Sequence, residues 1–287
     1  MRLDIYLYEN GFFGSREKAR QSVLDGGVCV NDKIIKKPSF GVTGNDDIKI
    51  VKETNPFVGR GGSKLQAALD YFNIDVRGAA VLDIGASTGG FTDCMLKNGA
   101  ARVYACDVGN NQLAPILKND GRVISLENTD IRDLASAPEK YGIKPGENIK
   151  FGFITIDVSF ISITKILPVI KTLLSPETKI ICLIKPQFEI RDTDIKMARR
   201  FFKKGIVKSP EAHEKICENI RKVMRQQGYA VSDIIESPVT GGDGNKEFLA
   251  VLEYPGIPGT TASHAENAAC LPVEDAQAQR ASLDGKP

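Results

Sequence analysis

Four charged side chains stand where an enzyme would need them. Asp157 closes the apolar run Ile154-Thr155-Ile156 and Lys185 closes Cys182-Leu183-Ile184, while Lys64 opens a helical segment and Glu247 starts the last strand-like run. A lysine beside a bound hydroxyl, its pKa held down by burial or by a second lysine, can take the hydroxyl proton or stabilise the alkoxide that develops. Carboxylates would orient the lysines. Taken singly, each residue can be plain surface charge; a charged residue ending two neighbouring apolar strands is less easily read that way.

The stretch Leu82-Asp83-Ile84-Gly85-Ala86-Ser87-Thr88-Gly89-Gly90-Phe91-Thr92 reads as a strand, a glycine-rich turn and a helix start. Glycines there let the backbone approach a ligand at the carboxyl end of the strand. The spacing is GxxxGG, not the GxGxxG of pyrophosphate-binding dinucleotide folds. It resembles the S-adenosylmethionine loop of class I methyltransferases, which places Asp83, Gly85, Ser87, Thr88, Gly89, Gly90 and Phe91 around that cofactor. Asp107 closes the second strand 22 residues after Gly85, where a carboxylate can accept both ribose hydroxyls of an adenosine. Asp130, after the third strand, is placed to accept from the adenine amino group. Methyl transfer to a hydroxyl is an in-line displacement at a sulfonium methyl, and a ribose 2′-hydroxyl barely ionises near neutral pH. The lysines would supply the base or the positive field.

Five apolar runs must position these residues: Ala79 to Ile84, Arg102 to Asp107, Arg122 to Leu126, Phe151 to Asp157 and Lys179 to Lys185. They lack alternation, as strands buried on both faces of a parallel sheet do. The class is α/β, a doubly wound sheet of the class I methyltransferase kind. Tyr229 to Glu236 and Lys246 to Glu253 are joined by a link too short for a helical crossover, so they pair antiparallel. That antiparallel direction brings Glu247 to the edge where Asp157 and Lys185 end. Helices are expected from Ser63 to Phe72, around Ser162 to Leu174, and from His213 to Gly228.

Residues 1–52 form a separate small unit. Leu3, Tyr6 and Leu7 share a helix face, Gly11 stops that helix, and Ser15 caps a second one carrying Ala19 and Val23. Gly26-Gly27 breaks it, and Val28 to Val30, Asn31-Asp32 and Lys33 to Ile35 read as strand, tight turn and strand. Arg2, Arg16, Lys18, Arg20 and Lys33 make a cluster suited to phosphate oxygens, with a solvated helix face as the plainer alternative. R-L-D at 2–4, S-R-x-x-A at 15–19 and G-x-V-x-V-N at 26–31 resemble the α-L RNA-binding domain, which implies structured RNA as ligand. Residues 53–62, with Pro56 and three glycines, read as a linker; 63–254 is the catalytic domain, and 255–287, rich in Pro, Gly, Ala, Ser and Glu, as a disordered tail.

Across both domains V-G-R-G-G-S-K-L, D-I-G-A-S-T-G-G-F-T-D-C, D-V-S-F-I-S, K-P-Q-F-E and G-N-K-E-F-L resemble the TlyA family, also known as haemolysin A, whose catalytic domain resembles the FtsJ heat-shock methyltransferase. The resemblance implies 2′-O-methylation of ribosomal RNA, with ribosomal RNA or ribosomal subunits as partner and S-adenosylmethionine as cofactor. The family's Lys-Asp-Lys-Glu tetrad falls on Lys64, Asp157, Lys185 and Glu247, and Arg60 is expected among the RNA contacts. Gly59 stands where the family usually has serine, Asp130 where it has asparagine, and Asn110-Asn111 where it has a tyrosine-glycine pair. The lysine-rich stretch Lys196 to Lys208 is longer than usual and offers further RNA contacts.

Composition narrows the alternatives. Six scattered cysteines without a CxxC pair, and only two histidines, leave no zinc spacing and no histidine-based triad, so no metal is expected. No apolar run reaches the length of a membrane helix, and Asp4 and Glu9 interrupt what a signal peptide would keep apolar; a cytoplasmic protein is expected. A net charge of +2 permits nucleic-acid binding without demanding it. The intact loop and tetrad argue against a catalytically silent RNA-binding protein, and the short or polar helices argue against a haemolysin acting directly on membranes.

Overall fold

A computed structural model describes residues 1–51, 55–144, 149–193, 200–203, 205–241 and 244–256. Most of the expected tail, and residues 196–199 and 204 of the lysine-rich stretch, lie outside the described residues. The chain divides into two compact units, Met1–Pro56 and Phe57–Pro287.

In the first unit, α1 (Leu3–Glu9) and α2 (Arg16–Leu24) pack on β1 (Val28–Val30), which pairs with the exposed β2 (Lys33–Ile34) on one side and β3 (Ile48–Ile50) on the other. Ser15 caps α2, its hydroxyl accepting from the Lys18 amide at 3.2 Å. Asn31 and Asp32 both adopt positive φ, 48° and 61°, the geometry that joins β1 to β2 as a two-residue hairpin. Leu3, Leu7, Ala19, Val23, Val28 and Val30 form the core. The third strand was not expected: Ile48–Ile50 is short, follows Asp46 and Asp47 and has Lys49 at its centre, and it pairs antiparallel with β1.

The second unit begins with α3 (Gly61–Tyr71), two residues ahead of the expected start. Then follow β4 (Ala80–Ile84), α4 (Gly90–Lys97), β5 (Arg102–Cys106), α5 (Pro115–Lys118), β6 (Val123–Leu126), α6 (Ile131–Ser136), β7 (Phe151–Ile156), α7 (Ile163–Ile166), β8 (Lys179–Ile184) and α8 (Pro186–Thr193). The small hairpin β9 (Phe202–Lys203) and β10 (Ile206–Val207), α9 (Pro210–Gln226), β11 (Ala230–Glu236) and β12 (Phe248–Glu253) complete it. The sheet order is β11-β12-β8-β7-β4-β5-β6, with β4 to β8 parallel and β12 antiparallel to both its neighbours. Alternate residues serve opposite faces: Leu82, Ile84, Ile180, Cys182 and Ile184 enter one apolar layer, and Val81, Ile181 and Leu183 the other. Both layers are covered by helices, which is why these strands show no polar alternation. The helix expected over Ser162 to Leu174 is interrupted. α7 ends at Ile166 and a 3-10 turn runs from Val169 to Leu173, because Pro168 between them has no amide to donate.

Candidate active site

β5, β7 and β8 end one residue short of the expected bounds, so that Asp107, Asp157 and Lys185 stand just beyond their strands, at one edge of the sheet. There Lys185 Nζ lies 2.6 Å from Asp157 Oδ1 and donates to Ser159 Oγ at 2.9 Å. The antiparallel register pairs Phe248 with Ile184 and so carries Glu247 to the same edge. Its Oε2 accepts from Lys64 Nζ at 2.5 Å, both side chains being buried. The four residues thus form two lysine–carboxylate pairs. Lys64 and Asp157, one from each pair, line a single open cleft of about 200 Å³.

The rest of the cleft wall is glycine loop and helix start: Gly59, Arg60 and Gly61 on one side, Gly85, Ala86, Ser87, Thr88, Gly90 and Phe91 on the other. Gly85 has φ 83°, and a Cβ there would sit 2.5 Å from the Asp157 carbonyl oxygen. Only glycine lets the two backbones approach this closely. A Cβ on Gly90 would lie 3.0 Å from the Gly62 amide, so the loop and the start of α3 also meet backbone to backbone. Arg60, expected at RNA, is placed in this wall.

The remaining expected cofactor residues fall into two groups. Asp107 adjoins the loop: its Oδ2 accepts from the Ser87 amide at 2.8 Å and its Oδ1 from the Gly109 amide at 2.7 Å, which holds the loop against the end of β5. Asp130 caps α6, accepting from the Arg132 amide at 2.8 Å and pairing with the Arg132 guanidinium. Gly89 and Asp83 do not line the cleft. Gly89, φ 93°, makes room for Leu113 and Leu117, which its Cβ would overlap. Asp83 is fully buried and accepts from the Thr92 and Thr155 hydroxyls at 2.7 and 2.8 Å, tying the start of α4 to β7 beneath the loop.

Burial pushes the Asp83 carboxyl up to about 6, against the two threonine hydroxyls, with the negative charge of Asp157 adding to the rise. A raised folded-state value means that the native protein binds the extra proton between about pH 4 and 6. Stability from this group is therefore full below pH 4 and lost as pH rises through 6. Asp83→Asn should remove that dependence: the melting difference between variant and parent should shift in the variant's favour from pH 4 to 7, by at most about 3 kcal/mol. A pH-independent difference would show that the carboxyl is not protonated in the native state.

In the first unit Asp4 is fully buried and anchors two of the expected RNA contacts: Arg2 donates to both its oxygens at 2.9 and 3.0 Å, and Arg16 to one at 3.3 Å. The Arg2 hydrogen bond, helped by Arg16, holds the Asp4 carboxyl below the usual carboxylate range. Arg20 pairs with Glu17 at 3.1 Å, and Lys18 and Lys33 are exposed. One residue at the catalytic edge escaped sequence reasoning. Phe160, between β7 and α7, is 92% exposed, has φ 66°, and its ring lies 5.1 Å from that of Phe188. An aromatic three residues past a strand-end aspartate was the available signal.

Among the described residues, no cluster of three His, Cys, Asp or Glu side chains could hold a metal ion, and no helix is long and apolar enough to cross a membrane. Cys29, Cys94, Cys106, Cys182 and Cys217 are free and buried. Burial pushes the Cys106 thiol up to about 12.

A family model described as FtsJ-like methyltransferase matches residues 57–254, and one described as S4 domain matches residues 1–48. Fold and matches together define a methyltransferase of the FtsJ-like class preceded by an S4 domain. Hemolysin A of Brachyspira hyodysenteriae is 40% identical over 250 residues, which span 87% of this chain and 98% of that protein. TlyA of Mycobacterium tuberculosis, named a 16S/23S rRNA (cytidine-2'-O)-methyltransferase, is 34% identical over 252 residues, 88% of this chain and 89% of that one. A solved hemolysin candidate from Streptococcus thermophilus is 34% identical, with 100% of this chain and 98% of that one covered and a TM-score of 0.66. The chain belongs to the TlyA/hemolysin A family.

Proposed function

We propose that this protein methylates a ribose 2′-hydroxyl of ribosomal RNA with S-adenosylmethionine, the S4 domain docking on structured RNA. The observation that carries the reading is the meeting of two lysine–carboxylate pairs with a glycine-walled cleft at one sheet edge. Gly85 and Gly90 let the loop pack backbone to backbone against Asp157 and the start of α3, and Ser87, Thr88 and Phe91, which line the resulting cleft, would hold the ligand, with Asp107 behind the loop. When bound, the cofactor supplies an electrophilic sulfonium methyl. Lys185, fixed by Asp157 and Ser159, is placed to stabilise the oxygen of the attacking hydroxyl as its proton leaves. Glu247 holds Lys64 in the cleft wall, so that the second positive charge has a set place.

A ribose hydroxyl within folded RNA is reached when its nucleotide leaves the stack, and such nucleotides are held on aromatic faces. Phe160 offers that face at the rim of the site. A cytoplasmic place of action belongs to this reading, since ribosomal RNA is the substrate. The test is transfer of labelled methyl from S-adenosylmethionine to ribosomal subunits from cells lacking the gene, with the label mapped within the nucleotide. Label on a ribose oxygen is the expected result; label on a base, or none despite measured cofactor binding and RNA binding, would refute it.

Asp4 allows a test of the RNA-binding half whose sign discriminates. Removing a negative charge near an RNA contact should strengthen binding if charge alone mattered. If Asp4 instead holds Arg2 and Arg16 in a phosphate-ready pair, Asp4→Asn should weaken binding to ribosomal RNA about tenfold and lower the salt slope by about one contact. Cofactor affinity should not change. Tighter RNA binding by the variant would refute the positioning role.

A further inference from the structure

We propose that Glu189 is a positioning residue for RNA methylation: its buried carboxylate fixes the loop between β7 and α7 and so holds Phe160 at the rim of the active site. The proposal rests on the reading of Phe160 as a nucleobase platform. Phe160 is an awkward residue to hold there, because a bulky side chain at φ 66° is disfavoured and a ring 92% exposed gains little from burial. Its neighbours must impose the conformation. One helical turn does so at three points. Lys185 Nζ donates to Ser159 Oγ on the near side of Phe160, the Phe188 ring packs against the Phe160 ring, and Glu189 accepts from Ser162 Oγ at 2.5 Å and from the Ile163 amide at 2.9 Å on the far side. The Phe188 and Glu189 amides both donate to the Lys185 carbonyl, at 2.8 and 3.3 Å, so catalytic lysine and loop anchor belong to the same turn.

Helix capping alone does not account for this carboxylate. α7 has four residues, and the Ser162 hydroxyl already accepts from the Thr164 amide at 3.2 Å. Glu189 is 2% exposed, and a buried carboxylate is costly unless its bonds fix something. What they fix is the segment between the strand-end Asp157 and α7, with Phe160 at its centre.

The chain contains no tryptophan, so Phe160→Trp makes the rim its own reporter. With this variant in the full chain, added protein-free ribosomal RNA should change the tryptophan emission. Glu189→Gln keeps the size of the side chain but leaves one acceptor oxygen where the carboxylate had two, while Ser162 Oγ and the Ile163 amide both donate to this side chain. In the Phe160→Trp background it should lower the tryptophan anisotropy. In the parent background it should raise the KM for RNA about tenfold, with kcat and S-adenosylhomocysteine affinity within about threefold. Ser162→Ala, which removes the Ser162 bond and leaves that of the Ile163 amide, should act in the same direction and more weakly, and it serves should Glu189→Gln fail to fold. Unchanged anisotropy and unchanged KM for RNA overturn the role of Glu189 alone. An emission insensitive to RNA overturns the reading of Phe160 and the proposal with it.

Discussion

Lys185→Ala should lower the single-turnover rate of methyl transfer by about a thousandfold, the upper end of the range for removing one donor that stabilises charge on the reacting oxygen. It should leave S-adenosylhomocysteine affinity within a few-fold. The separation follows from geometry: Lys185 lies behind Asp157, outside the cleft wall, whereas Lys64 lines the wall itself. Lys64→Ala should therefore disturb both rate and cofactor affinity. Removing Lys185 also leaves the Asp157 carboxylate without its cation and Ser159 without its donor. Rate at saturating RNA and calorimetric affinity for S-adenosylhomocysteine, measured on the same preparation, decide the matter. A Lys185→Ala protein within tenfold of the parent rate would assign the lysine to the support of the loop, not to the chemistry.

Gly85→Ala should be the most damaging single methyl group in the cofactor wall. The residue combines a left-handed backbone with a Cβ position 2.5 Å from the Asp157 oxygen and 2.9 Å from its carbonyl carbon. Neither neighbour is a flexible side chain, so β4 and β7 must part where Asp157 leaves the sheet. A loss of about 3 kcal/mol in stability is expected, with cofactor binding abolished. Gly78 supplies the control: its φ is 73°, but nothing lies within 4 Å of its Cβ position. Gly78→Ala should therefore cost only the left-handed penalty, about 1 kcal/mol, and spare cofactor binding. Equal effects of the two substitutions on cofactor affinity would contradict the close-approach argument.

The parts of this fold that were legible in advance share a physical cause. Strands buried on both faces must be apolar throughout, so the first charged residue after each run marks the exposed sheet edge; this is how Asp157 and Lys185 could be placed before any coordinates. Ser15 and the Asn31-Asp32 turn were legible because capping and positive φ are local demands. What could not be read was tertiary. β3 carries strand-favouring Ile48 and Ile50, but at three residues it is too short to read as a strand without its pairing to β1. Asp83 and Gly89 belong to a motif whose letters name a cofactor loop, yet one carboxylate is turned into the core and one missing side chain admits two leucines. Spacing reports the chain direction and cannot report which way a side chain faces. Pro168 is the reverse case: a missing amide is a local property that sequence can show, and the helix expected around Ser162 to Leu174 took no account of it.

The position of β12 has a consequence for the order of synthesis. This strand comes last among the described strands, yet it lies between β8 and β11, and it delivers Glu247 to Lys64. A ribosome making this protein has released the glycine loop, Lys64, Asp157 and Lys185 well before the segment that joins the sheet's two parts. Until then β11 has no partner in the sheet, and Lys64 lacks its carboxylate. The two lysine–carboxylate pairs are therefore not both complete until the last described strand has joined the sheet, so assembly of this edge follows the making of nearly all the described chain.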